Sequence, residues 1–181
     1  RAEYSAREPR WRCDACGGPL DIAEAEIFPR NKPRIRPENM WRYREAIPIV
    51  GDGNIVSLSE GFTPLIRLPL AGGEAWVKLD FLFPTGSFKD RGAAVLISKL
   101  KEWGVREILG DSSGNAAAAI AAYAARAGMA CDMYVPSGTS AAKCAQIAAY
   151  GSRVRKIPGG RQATTEAAVA ATRDRFYASH F

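Results

Sequence analysis

Asp111-Ser112-Ser113-Gly114-Asn115 stands between a short apolar run at 105–109 and an alanine-rich run at 115–126. The first reads as a strand and the second as a helix. The same alternation continues downstream: strand 131–135, helix 140–150, strand 153–157, helix 162–175, with residues 177–181 opening a further strand. Upstream, residues 88–103 read as a helix, with Val95, Leu96, Lys99 and Leu100 spaced for one face. Strands and helices in alternation, joined by short loops, predict a parallel sheet covered by helices on both faces, an open α/β fold. Ligands in such sheets bind at the loops that follow the strands. The 111–115 loop is one of these.

The helix after that loop is small: Ala116 to Ala119, then Ala121, Ala122, Ala124, Ala125 and Ala127. Alanine is the best helix former, and a helix without bulk packs close to its neighbours. The alanine run is therefore read as packing, and the chemistry is placed just before it. Ser112, Ser113 and Gly114 bring hydroxyls and free backbone N–H groups to a helix N-terminus, where an anion is favoured. Asn115 adds an amide donor. Spacing alone would make this a plain capping loop in most proteins.

A second loop has the same setting. Pro84-Thr85-Gly86-Ser87-Phe88-Lys89-Asp90 follows a strand-like run at 75–80 and opens the helix at 88–103. Pro84 and Gly86 punctuate a turn. Ser87 with Asp90 three residues on fits the capping pattern, with Ser87 as N-cap. Lys89 falls in the first helical turn, where the partial positive charge of the helix end disfavours a cation. That setting favours the neutral amine that a Schiff-base lysine needs. Most lysines are solvated surface charges, but an acidic residue would suit this position better, and a lysine is found.

Composition narrows the class. The chain has 181 residues, enough for one good domain or two small ones, and is 47% hydrophobic, as a globular protein is. No run approaches the roughly 18 apolar residues of a membrane span, and no signal peptide is visible. The formal charge is +6, but positives and negatives are interleaved, without the basic, aromatic-studded stripe of a nucleic-acid binder. Cys13, Cys16, Cys131 and Cys144 do not form a disulfide framework in a chain this long, which points to a reducing, cytoplasmic setting. His180 is the single histidine, so chemistry built on several histidines is disfavoured.

Residues 1–55 differ in character. They are rich in Arg, Pro and Glu, with little periodicity, and read as an N-terminal extension wrapped on the main body at 56–181, whose small α/β part is roughly 92–181. Cys13-Asp14-Ala15-Cys16-Gly17 looks like one half of a zinc ribbon, but no second pair is found. A relic knuckle or tight turn without bound metal is the favoured reading. Pro29, Pro33 and Pro37 mark an extended connector, and a short helix starts near Met40. Residues 57–66 are a turn-rich approach with Gly61 and Pro64 as breakers. Ala71-Gly72-Gly73 is a hairpin-type turn.

Four motifs in order carry a resemblance: Ser-Glu-Gly-Phe-Thr-Pro-Leu at 59–65, Trp-Val-Lys-Leu-Asp at 76–80, Pro-Thr-Gly-Ser-Phe-Lys-Asp-Arg-Gly at 84–92, and Ser-Ser-Gly-Asn at 112–115. Together they resemble the pyridoxal-phosphate enzymes of fold type II, the tryptophan synthase β family, and within it the threonine synthases. The resemblance spans about 56–160. It implies that Lys89 carries pyridoxal 5'-phosphate as an imine and that Asn115 hydrogen-bonds its phenolic oxygen. Ser112, Ser113 and Gly114 would hold the substrate α-carboxylate, while Phe88 and Asp90 are given packing and capping. A homodimer acting on a small amino-acid substrate, without nucleic acid or membrane, is the expected assembly. In threonine synthases the substrate is O-phosphohomoserine. Ala116 departs from the Thr usual after this asparagine, which leaves a dehydratase-like or β-replacement relative, or a non-catalytic degenerate member, as alternatives. Residues 116–181 show no glycine-rich phosphate cup, so the chain is expected to be a fragment of a longer enzyme.

Overall fold

The computed structural model describes residues 2–22 and 36–178. The expected connector at Pro29 and Pro33, the lone histidine, and the end of the last expected strand lie outside them. A four-stranded, all-parallel sheet runs β5-β4-β3-β6, and a two-stranded antiparallel hairpin, β1-β2, stands apart from it. The hairpin is β1 (Leu65–Leu70) and β2 (Gly73–Lys78). The sheet strands are β3 (Glu107–Gly110), β4 (Ala130–Pro136), β5 (Arg153–Ile157) and β6 (Phe176–Tyr177). The helices are α1 (Lys89–Glu102), α2 (Asn115–Arg126), α3 (Ala141–Ala149) and α4 (Arg161–Ala170).

The expected α/β alternation is present. From β3 the chain steps outward to β4 and β5, then returns to the other side of β3 as β6. With right-handed crossovers, a reversal of direction sends the connecting helix to the opposite face. The core shows both faces. Ile108, Met133, Val135 and Ala178 join α1, α2 and α3 in the larger cluster. Their strand neighbours Leu109 and Tyr177 join Ala168 of α4 in a second cluster, with Tyr134 packed against it. Alternate residues of each strand point to opposite sides, as the pleat requires.

Helix α2 is buried from Ala116 through Ala124, with α1 and α3 packed on it and β4 beneath. A helix enclosed on all sides has no room for bulk, so the packing reading of the alanine run holds. Helix α1 turns Asp90, Ala93, Ala94, Ile97 and Leu100 to the core, while Val95, Leu96 and Lys99 are half-buried, so the buried stripe lies to one side of the expected one. Helix α4 ends at Ala170, five residues before the expected Arg175, because Phe176 must already be extended to pair with Ile108.

The N-terminal arm is tied to the sheet. The Trp11 ring meets Tyr177 edge-on at 4.8 Å, and the Trp103 indole donates to the Ala6 carbonyl at 3.0 Å. The expected short helix near Met40 is a 3₁₀ segment, Met40–Ala46, capped by the Asn39 side chain. Strand β1, of which only Leu65 and Ile66 fall in the expected turn-rich approach, pairs along its whole length with β2, and all six of its residues are exposed.

Candidate active site

The carboxyl end of β3 is where the sheet order reverses, since β4 lies on one side of it and β6 on the other. This is the switch point at which open α/β sheets bind ligands. Asp111, Ser112, Ser113 and Gly114 leave the strand there and Asn115 begins α2. Asp111 and Ser112 are buried, Ser113 and Gly114 half-buried, and Asn115 exposed. Gly114 is the N-cap, with extended backbone and no side-chain cap. The first N–H groups of α2 are therefore left for a ligand or water. Within the loop, Gly114 N–H donates to Ser112 Oγ only at 3.4 Å.

Lys89 is the first residue of α1 and is half-buried. Its Nζ lies 4.8 Å from the centroid of the Phe88 ring and forms no ion pair among the described residues. α1 and α2 pack directly on each other, which ties the two candidate loops into one unit. No hydrogen bond among the described residues joins Lys89 to the 112–115 loop. An amine without a counter-ion, an amide donor and a row of open N–H groups form a donor set that fits an aldehyde-bearing, anionic cofactor and a carboxylate.

Two expectations about the lysine loop are corrected. Ser87 and Asp90 do not form a capping box. The N-cap is Phe88, without a side-chain hydrogen bond, and Ser87 Oγ receives only the Lys89 N–H, at 3.3 Å. Asp90 turns back instead to Thr85, accepting its N–H at 2.9 Å and its hydroxyl. Burial pushes the Asp90 carboxyl above its ordinary range, against the two Thr85 bonds, and the charge of Glu60 adds to the rise. Phe88 does not pack in the core. It is 55% exposed, on the outward face it shares with Gly92.

Several supports of the site carried no signal that sequence reasoning used. The Gln146 amide of α3 donates to the Thr85 carbonyl at 3.3 Å, so α1 and α3 together fix the loop before Lys89. Arg91 grips Asp80 through two nitrogens at 2.8 and 3.1 Å, and Thr63 donates to the same carboxylate at 2.8 Å. The Arg91 guanidinium, opposed by burial and helped by Thr63, holds Asp80 below the usual carboxylate range. Lys78 completes the group through the Thr63 carbonyl.

Buried Glu60 is a hub. It accepts the Trp41 indole N–H at 2.6 Å, the Tyr123 hydroxyl at 2.8 Å, the Leu58 N–H at 2.8 Å and the Ser57 hydroxyl at 3.1 Å. Burial pushes the Tyr123 phenol far up, with the Glu60 charge beside it, so it stays a donor. This hub holds a loop with left-handed backbone at Ser59, Gly61 and Phe62.

Elsewhere, Cys13 and Cys16 sit on a tight knuckle, with Gly17 N–H on the Cys13 carbonyl and Cys13 N–H on the Gly18 carbonyl, both at 2.8 Å. Tyr4 lies 3.2 Å from Cys13 Sγ. That contact, with the amides of Cys16 and Ala15, brings the Cys13 thiol down to about 7. Among the described residues, no group of three or more His, Cys, Asp or Glu is placed to hold a metal ion. A cleft of about 750 Å³ runs between the N-terminal arm and the entry to β3 and β6, lined by Pro9, Trp11, Arg106, Arg173 and Phe176. It lies at the start of β3, whereas the candidate loops follow strand ends, so the chemistry is not assigned to it. No described helix is long and apolar enough to cross a membrane.

Comparison with known proteins agrees with this geometry. Residues 56–181 match the family model described as pyridoxal-phosphate dependent enzyme. The chain is 38% identical over 167 residues to a threonine synthase of Methanocaldococcus jannaschii, which covers 86% of this chain and 41% of that protein. It is 43% identical over 131 residues to a threonine synthase of Halalkalibacterium halodurans, covering 67% and 37%. Among solved structures it is similar to a hydrogen sulfide-producing enzyme of Fusobacterium nucleatum, with TM-score 0.60, 26% identity, and 66% and 43% of the two chains covered. It is also similar to an O-ureido-L-serine synthase, with TM-score 0.59, 28% identity, and 64% and 40% covered. The chain thus spans about two fifths of the length of these relatives. It belongs to the pyridoxal-phosphate-dependent enzyme family of fold type II.

Proposed function

We propose that the whole enzyme converts O-phosphohomoserine and water to threonine and inorganic phosphate. The observation that carries this reading is the open helix N-terminus at the switch point, behind Ser112, Ser113 and Gly114, on a helix packed against the one that Lys89 begins. Threonine synthases among the relatives support the particular reaction.

Lys89 holds the cofactor, and the Asn115 amide donates to its phenolic oxygen. The bound cofactor supplies an electron sink for the carbon that loses a proton. The loop N–H groups and hydroxyls of Ser112, Ser113 and Gly114 fix the substrate α-carboxylate, so that its reacting carbons come to rest against Lys89. The Lys89 amine moves protons at the α and β carbons, for which a half-buried amine without an ion pair among the described residues is suited. Phosphate leaves from the γ carbon and water adds at the β carbon. The whole enzyme is read as a cytoplasmic homodimer.

A second reading has a specific observation behind it. Ala116 is buried and offers no hydroxyl for a substrate phosphate, and the similar solved structures include synthases of other substrates. A β-replacement enzyme acting on a serine-derived substrate follows from that. Assays of the full-length enzyme separate the two. Phosphate release from O-phosphohomoserine supports the first reading. Its absence, with release of acetate from O-acetylserine in the presence of a thiol or sulfide nucleophile, supports the second.

A further inference from the structure

Asp111 is fully buried at the end of β3, immediately before the Ser112 loop. One guanidinium holds it twice: Arg161 Nη1 donates to the Asp111 carbonyl at 2.5 Å, and Arg161 Nη2 pairs with its carboxylate at 3.2 Å. Thr165, one turn further along α4, donates to the same carboxylate oxygen at 2.5 Å. Burial first, and Asp111 second, push the Tyr177 phenol of β6 above its ordinary range. Side chain and main chain of one residue are thus both fixed by α4. Arg161 is the first residue of α4, where the helix end disfavours a cation. A residue chosen for helix stability there would be acidic. The arginine is therefore explained by Asp111, not by α4.

The loop that follows has little else to fix it, since its one internal hydrogen bond is 3.4 Å long and its N-cap is a glycine. We infer that Asp111, Arg161 and Thr165 are positioning residues that aim the Ser112–Gly114 N–H groups at the α-carboxylate of an amino-acid substrate. This rests on the function proposed above. None of the three touches the substrate; they act through the loop. Displacing the donors by a fraction of an ångström to an ångström weakens carboxylate binding and leaves the cofactor's attachment to Lys89 intact.

The test uses the full-length holoenzyme and L-threonine as probe, with its Kd read from the visible absorbance of the bound cofactor and by calorimetry. Asp111→Asn and Thr165→Val are expected to weaken L-threonine binding by about tenfold or more, with cofactor affinity held within about twofold, and Thr165→Ser to restore it. Asp132→Asn is the structural control. Asp132 is equally buried and held by Arg153, Arg155 and Arg175, but lies opposite Leu109, with no bond to the loop. It is expected to lower thermal stability without moving Kd. Asp111→Asn and Thr165→Val within about twofold of wild type, or Asp132→Asn as weak as they are, would overturn the inference. If Asp111→Asn does not fold, Thr165→Val decides alone. Wild-type holoenzyme that binds no α-amino acid overturns the underlying function as well, whereas normal binding by wild type and variants alike overturns the positioning role only.

Discussion

Glu60→Gln tests how the approach to the site is held. Glu60 has no exposed surface and serves four donors with two oxygens. Trp41 donates to Oε1, while Tyr123 and Leu58 donate to Oε2. Glutamine keeps one acceptor and turns an NH₂ toward the other side. With its oxygen facing Tyr123 and Leu58, its amide faces the Trp41 N–H, donor against donor. One buried N–H left without a partner costs about 1–3 kcal/mol. The surviving bonds also lose their charge assistance, which roughly doubles their strength in the native protein. Together these set an expected loss of about 3 kcal/mol. Urea unfolding of the full-length protein measures it, with Trp41→Phe in a double-mutant cycle. Trp41→Phe removes the orphaned donor, so the double mutant should recover about 1 kcal/mol or more of coupling. A loss below about 1 kcal/mol in Glu60→Gln, or no coupling to Trp41, would refute the hub.

Gly61→Ala should destabilise by about 2–4 kcal/mol in the same unfolding assay, since the backbone is left-handed at φ 102° and a Cβ would meet the Met40 backbone nitrogen at 2.7 Å. A loss under about 1 kcal/mol would show that the segment shifts freely. Cys13 should be alkylated by iodoacetamide with a midpoint near its lowered value of about 7, because the thiolate is the reacting form. Tyr4→Phe removes the largest stabiliser of that thiolate, so the midpoint should move up; an unmoved midpoint would refute the Tyr4 contact.

The sheet was legible because its elements are spelled by local pattern. Alternating apolar runs and helices named β3 to β5 and α1 to α4, and the alanine run marked a helix that packs close to its neighbours. Strand β1 was not legible, because it follows the breakers Gly61 and Pro64 and carries Pro69 within it. Proline is tolerated there because β1 is an edge strand. The end of α4 was misread because pairing of Phe176 with Ile108, 68 residues earlier in the chain, overrides local helix preference.

At the candidate site, Lys89 and residues 112–115 were singled out because each opens a helix and because the two motifs together resemble those of the family. The side chains that hold them could not. Asp90 sits at the spacing of a capping box, but its partner is Thr85, behind it in sequence. Glu60, Gln146 and Arg161 act across separations of 63, 61 and 50 residues, on Tyr123, Thr85 and Asp111. Nothing local marks them, and Arg161 is betrayed only by being a cation at a helix start.

The most direct test of the account is phosphate release from O-phosphohomoserine by the full-length enzyme, wild type against Lys89→Ala, with threonine measured in the same samples. The account predicts equal amounts of phosphate and threonine from wild type, and from Lys89→Ala no turnover above background although the protein is folded. Phosphate and threonine made by Lys89→Ala at the wild-type rate would contradict it.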